Sequence, residues 1–258
     1  MIEELREIIR FRELLAQLVT RNILVRYKRS VLGLAWTMLN PLLMMTILTV
    51  VFSNVFHVST PHYPVYILAG LILWSFFSQA TLTGMTELLW GSGLLQRIYI
   101  PHTVFVLAAV GTGIVNLLFA LIPLVLIMLL TGVPLTLALL SLPIPIVLTA
   151  MFATGTALLL SILAVSFVDL VDIYQVALTA WFYLTPIIYP KEIVPSSLQW
   201  LFLLNPMYYF LEMFRLPVYA TALPGLETFL PAGVLAVGVL VIGWWVFTRN
   251  ADGLAYRI

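Results

Sequence analysis

Residues 104–130 read VFVLAAVGTGIVNLLFALIPLVLIMLL, without one charged side chain. An unbroken apolar run longer than about 18 residues marks a helix that crosses a bilayer. Other runs of this kind lie on both sides of it, and the chain as a whole is 62% hydrophobic and only 9% charged. Soluble domains carry roughly 25% charged residues, so a water-soluble fold of this length has no way to hide that much apolar surface. A closed β-barrel is the other spanning solution, but its strands alternate apolar and polar residues instead of forming solid apolar blocks. The fold class is therefore an all-α integral membrane protein.

Toward the N-terminus, a span is predicted over about Pro64–Leu89 and another over Leu32–Phe56, separated by the polar stretch His57–Tyr63. Toward the C-terminus, Gly132 and Pro134 predict a tight turn. Pro143 and Pro145 are expected to break the start of a fourth segment ending near Phe167. A short fifth span over Ile173–Tyr189 and a last one over Phe229–Thr248 complete six transmembrane helices, with Pro123 expected to interrupt the third. All belong to one transmembrane domain, residues 1–258. Residues 1–29 carry Leu5, Ile8, Ile9, Phe11, Leu14, Leu15 and Leu18 at helical spacing among charges, which predicts an N-terminal amphipathic helix lying along the membrane interface.

Residues 191–228 break the pattern. The stretch is apolar, yet Pro195, Pro206, Pro217 and Pro224 cut it up. Its piece Ser196–Leu204 would reach about 14 Å as a helix, against a hydrocarbon core of about 30 Å. Short re-entrant helices on the outer side, before the last span, are the expectation. Such backbone is tolerated where protein or a water-filled cavity surrounds it. A structural cap on the bundle is the plainer alternative.

Seven of the twelve Lys and Arg lie before residue 30; Arg97, Arg249 and Arg257 follow in segments that six spans place on the same side. The positive-inside rule then puts both termini in the cytoplasm and Lys191 and Arg215 outside. The chain has no cysteine, and His57, His62 and His102 lack ligand spacing, so no metal is expected. Acidic residues among the bases of the N-terminus argue against a cleavable signal peptide. A P-loop needs lysine followed by Ser or Thr; here Lys28 precedes Arg29 and Lys191 precedes Glu192. No cofactor is expected in this chain, and any ATP-driven step needs a separate motor. No basic patch apart from the membrane points to nucleic acid.

Four stretches carry a resemblance. RYKRSVLGLAW at residues 26–36, followed by Asn40-Pro41-Leu42, looks like the entry to the first span of type-2 ABC permeases, in the branch that exports O-antigen, capsular polysaccharide and teichoic acid. LLQRIYIP at 94–101, LTPIIYP at 184–190 and LNPM at 204–207 follow in the order that branch shows. The chain departs from it at His102 and at Val168-Asp169, where that branch often has Arg and Arg-Asp. The resemblance implies a permease of the cytoplasmic (inner) membrane that works as a homodimer. Its partners would be two nucleotide-binding ATPase subunits, which hold the ATP and Mg, together with membrane lipids and a lipid-linked polysaccharide.

It also implies roles for residues. Arg26, Tyr27, Arg29, Gly33 and Trp36 would form the substrate entrance, where cations could instead simply meet lipid phosphates. Tyr183, Tyr189, Phe52 and Tyr66 would line the conduit with ring faces for sugars; the alternative is an interfacial aromatic belt. The proline-cut segment itself suggests an outer gate of Trp200, Asn205, Pro206, Tyr208, Glu212 and Arg215, with Glu212 and Arg215 also spaced to pair with each other. Arg97, Tyr99, Pro101 and Asp169 would couple to the ATPase. A small-lipid or drug exporter of the same superfamily, and a membrane-embedded glycan enzyme, are the competing functional classes.

Overall fold

The computed structural model describes residues 8–28, 30, 32–54, 61–90 and 101–254. Among them every regular element is helical. Helix α1 (Arg12–Tyr27) precedes α2 (Ala35–Asn54), α3 (Tyr63–Trp90), α4 (Thr103–Thr131), α5 (Pro143–Ser166) and α6 (Leu170–Leu184). Two short helices follow, α7 (Trp200–Leu204) and α8 (Pro206–Arg215), and then the long α9 (Leu226–Leu254). Five helices, α2 to α5 and α9, are long and apolar enough to cross a membrane. The sixth, α6, is apolar but has only 15 residues, about 22 Å at 1.5 Å per residue.

The central element is α3, packed between α4 and α5. Val65, Ile67, Leu68, Ala69, Leu73, Phe77 and Ala80 are wholly buried along it. Phe77 stacks on Phe152 of α5 at 5.5 Å, and Phe152 meets Phe210 of α8 at 5.0 Å. In lipid the association of helices rests on close packing and not on the exclusion of water. Small residues supply that closeness: a Cβ added to Gly84 would lie 2.9 Å from the Cβ of Ala157. Helix α2 is the least covered span, with Leu43, Ile47 and Val50 exposed. The apolar stripe of α1 packs on its own bundle, Leu14, Leu15 and Leu18 against Val104, Phe105 and Ala108 of α4.

Several boundaries differ from the sequence-based expectation. Pro123 does not interrupt α4, which runs on through it; a transmembrane proline buried among neighbours is accommodated when they re-satisfy the freed carbonyl. Pro143 and Pro145 do not break a helix. Pro143 starts α5 in the first turn, where a missing N–H costs nothing, and a 3₁₀ turn, Leu137–Ser141, precedes it. The fifth span stops at Leu184 because Thr185 is extended before Pro186 (φ −96°, ψ 135°). Gly132 ends α4 in the left-handed conformation (φ +77°), as the Gly132–Pro134 turn required.

Residues 191–228 do break into short pieces. Ser196–Leu204 is not one helix but a 3₁₀ turn, Ser196–Leu198, followed by α7. Asn205 is extended, and Pro206 opens α8, where the buried first-turn N–H of Met207 is capped by the Asn205 side chain at 3.1 Å. A π turn, Leu216–Ala220, then leads to Thr221 at φ +53°.

The reversal after α6 is held by side chains from elsewhere in the chain. Four successive carbonyls each accept a bond. Arg215 donates to Pro186 at 2.8 Å and to Ile187 at 3.0 Å, Tyr63 donates to Ile188 at 2.5 Å, and Tyr66 donates to Tyr189 at 3.1 Å. The Arg215 guanidinium lies 3.7 Å from the centre of the Tyr66 ring, and the residue is only 3% exposed. In place of the Glu212–Arg215 pairing the spacing suggested, Arg215 directs both terminal nitrogens at backbone carbonyls, acceptors that a buried guanidinium needs for want of water.

Candidate substrate pathway

A polar seam descends α3. Ser75, Gln79, Thr83 and Glu87 recur at every fourth position, which places them one above the next on a single slanting face. Polar residues inside a span are expensive unless they face a cavity or one another. Here they do both.

Three cavities share Gln79. The first, about 370 Å³, lies between α2, α3 and α4, with Trp36 and Asn40 on one side and Asn116 on the other. The second, about 710 Å³, opens between α2, α3 and α6; Asn40, Ser75, Gln175, Thr179 and Tyr183 line it. The third, about 530 Å³, reaches down to α1 and is walled by Arg21, Asn22, Thr83, Glu87 and Thr112. The amide of Asn116 donates to Gln79 Oε1 at 2.9 Å. At the lower end Asn22 donates to Glu87 Oε1 at 3.1 Å, and Arg21 stands 3.8 Å from its other oxygen. Glu87 thus ties α1 to the foot of α3.

A fourth cavity, about 950 Å³, lies between α1 and the start of α2. Arg21 and Lys28 stand on its wall beside Leu24, Val25 and Leu34, so cations flank an apolar trough. Gly33 turns the chain there at φ +49°, with open space where a Cβ would project. Of the expected entrance residues, Gly33 lines this trough and Trp36 lines the neighbouring first cavity. The side chains of Arg26 and Tyr27, and Arg29 altogether, lie outside the described residues.

The expected conduit residues divide. Tyr183 is 61% exposed and stands on the wall of the second cavity. Tyr189 donates its hydroxyl to the Tyr183 carbonyl at 2.9 Å and so supports that position from behind. Tyr66 is buried under Arg215, away from the cavity wall, and Phe52 packs half-buried against the core. Among the gate residues, Asn205 is a junction. Its Oδ1 accepts from Trp181 Nε1 at 2.7 Å, and its amide donates to Thr185 Oγ1 at 2.9 Å. Tyr208 is buried against Phe202, with Lys191 3.4 Å from its hydroxyl, while Trp200 is exposed. Of the coupling residues, Pro101 is buried before α4 and Asp169 is exposed before α6; Arg97 and Tyr99 lie outside the described residues.

Sequence reading missed Gln79, Asn116, Asn40 and Gln175. The signal was present as amides embedded in apolar runs, with a four-residue repeat on α3.

A family model described as ABC-2 type transporter matches residues 13–219, well over half of the chain. The chain belongs to the ABC-2 type transporter family. Its membership bears out the resemblance carried by the four sequence stretches. The chain is similar to the O-antigen export system permease protein RfbA of Myxococcus xanthus, 29% identical over 261 residues that cover all of both chains. It is also similar to a Klebsiella pneumoniae protein of the same name, 26% identical over 196 residues, 76% of each chain. This ABC-2 family member is thus a polytopic membrane protein of the permease type.

Proposed function

We propose that this chain is the transmembrane subunit of an exporter that moves lipid-linked, O-antigen-type polysaccharide across the cytoplasmic membrane, driven by a separate ATPase. The observation that carries the reading is the polar seam through α3, uncharged from Ser75 to Thr83 and joined by cavities from Arg21 to Tyr183. Amides and hydroxyls both donate and accept, which suits a ligand covered in hydroxyl groups. The similarity to relatives named as O-antigen export permeases supports the same substrate class.

In this reading the lipid-linked end enters at the trough between α1 and α2, where Arg21 and Lys28 meet its phosphate and the apolar wall meets its lipid. Arg26, Tyr27 and Arg29 extend that entrance. The glycan passes Gln79, Asn40 and Gln175 and leaves beside Tyr183, with Tyr189 holding that ring in place. Helix α6, extended by Thr185–Ile188, makes the sixth crossing, both termini are cytoplasmic and residues 191–228 sit at the outer side. There α7, with Trp200 exposed, closes the resting pathway, and α8 is its fixed anchor through Asn205 and Arg215. A second copy covers α2 and the open polar wall of α6, completing the conduit. Segments at Arg97–Pro101 and Asp169, with α1, dock on the two ATPase subunits. Proteoliposomes holding the chain, its ATPase and a lipid-linked polysaccharide test this. Gln79→Leu should cut export several-fold while ATP hydrolysis continues; undiminished export through that variant would remove the seam from the pathway.

A further inference from the structure

We infer that the recess between α2, α3 and α4 is a binding site for a single pyranose ring, set to the side of the conduit. The inference rests on the export reading and adds a fixed sugar site to it. Three observations converge. First, the recess is about 370 Å³, the room of about a dozen water molecules at about 30 Å³ each, and it is polar enough to be wet. Second, Asn116, 9% exposed, spends its amide on Gln79 and leaves its Oδ1 buried without a partner. Turning the amide over exchanges the orphaned atom without satisfying it, so one polar atom of Asn116 awaits a ligand in either orientation. Third, Trp36 stands half-exposed at the mouth, and Phe76 lies on the wall.

The chemistry of this lining selects among ligands. Among the described residues no charged side chain lines the recess; a phosphate or carboxylate would lack a cation there, and an amine would lack a carboxylate. A lipid tail would strand Asn40, Ser75, Gln79 and Asn116 against hydrocarbon. Ring hydroxyls can both donate to the free oxygen and accept from neighbouring amides, while the apolar face of a pyranose suits the indole of Trp36. The recess shares Asn40, Ser75 and Gln79 with the conduit wall, so a sugar held there would be a unit of the passing polymer.

The test uses the full chain in lipid nanodiscs free of sugar-based detergent. Saturation-transfer NMR probes it with the methyl α-pyranosides of glucose, galactose, mannose and N-acetylglucosamine, and with glycerol and phosphocholine as headgroup probes. At least one pyranoside should receive saturation at its ring protons. Asn116→Leu should weaken it roughly tenfold, the scale of losing a hydrogen bond while leaving its partner buried. Trp36→Ala, at an exposed position, should weaken it as well even if Asn116→Leu does not fold. Leu140→Ala, which does not line the recess, should leave it unchanged. A signal from no pyranoside, a signal that survives Trp36→Ala, or equal signals from glycerol or phosphocholine would each overturn the sugar site. If the protein exports polysaccharide in proteoliposomes but shows no such signal, the site falls and the export reading stands; if it exports none, the export reading itself falls.

Discussion

The backbones of Gly155 on α5 and Gly243 on α9 lie in direct contact. A Cβ built on Gly243 would collide with the carbonyl oxygen of Gly155, and one built on Gly155 would collide with the Val239 carbonyl. The obstacle in both cases is backbone, which has no rotamer to yield. This close crossing of the last span over α5 depends on having no side chain at either position.

Gly155→Ala and Gly243→Ala should each destabilise the protein by about 1–3 kcal/mol, the usual cost of overpacking. Thermal unfolding in detergent measures this. Gly233→Ala, on the same helix with open space around its Cβ position, should be neutral or slightly stabilising through helix propensity.

Arg215 and Gly70 are a second coupled pair, because a Cβ on Gly70 would strike the guanidinium. Arg215→Met removes the bonds to the Pro186 and Ile187 carbonyls and should cost about 2–3 kcal/mol. Gly70→Ala should be costly in the native chain and much milder beside Arg215→Met, with a coupling above about 1 kcal/mol in a double-mutant cycle. Simple additivity would mean that the guanidinium does not occupy the place described.

Tyr183 and Tyr189 should part company experimentally. Removing the Tyr189 hydroxyl as Tyr189→Phe breaks its bond to the Tyr183 carbonyl and should cost about 1 kcal/mol of stability. Tyr183→Ala removes an exposed ring and should leave stability within about 0.5 kcal/mol while slowing polymer export. Equal stability losses in both would place the Tyr183 ring in the core.

His102 adds a pH dependence. Burial lowers its pKa from 6.5, so the folded protein prefers the neutral ring. Below pH 6.5 the unfolded chain takes the proton first, and stability falls as pH drops through the folded-state value. Melting temperatures recorded downward from neutral pH should show this decline, and His102→Gln should remove part of it. A variant that melts with the same pH profile would assign the decline to other groups.

The cysteine-free chain makes topology direct to test. Ser197→Cys, on the short segment before α7, should react with a membrane-impermeant maleimide from outside intact cells. Reaction from the cytoplasmic side alone would reverse the proposed orientation.

Much of this architecture was legible in the sequence, for reasons that are physical. Apolar runs such as 104–130 admit one solution in lipid, and prolines at 195, 206 and 217 forbid a long helix between α6 and α9. The ends of elements were less legible, because a proline is a breaker inside a helix and a starter at its first turn: Pro143 is the second kind, and Pro123 is neither. The seam was written in the sequence as Ser75, Gln79, Thr83 and Glu87, but that Gln79 meets Asn116 is a fact of helix pairing. The same holds for Arg215, whose spacing from Glu212 suggested a local partner. Its carbonyl acceptors are 28 and 29 residues away in the chain.

The seam on α3 also bears on how the protein is made. A helix carrying Gln79, Thr83 and Glu87 would be a poor solute on its own in hydrocarbon, and α3 is chiefly surrounded by helices synthesised after it. During biogenesis this segment therefore has reason to stay beside the insertion machinery until α4 and α6 arrive to shelter it. A chain truncated before α4 would leave a polar helix facing lipid, a ready mark for membrane proteases.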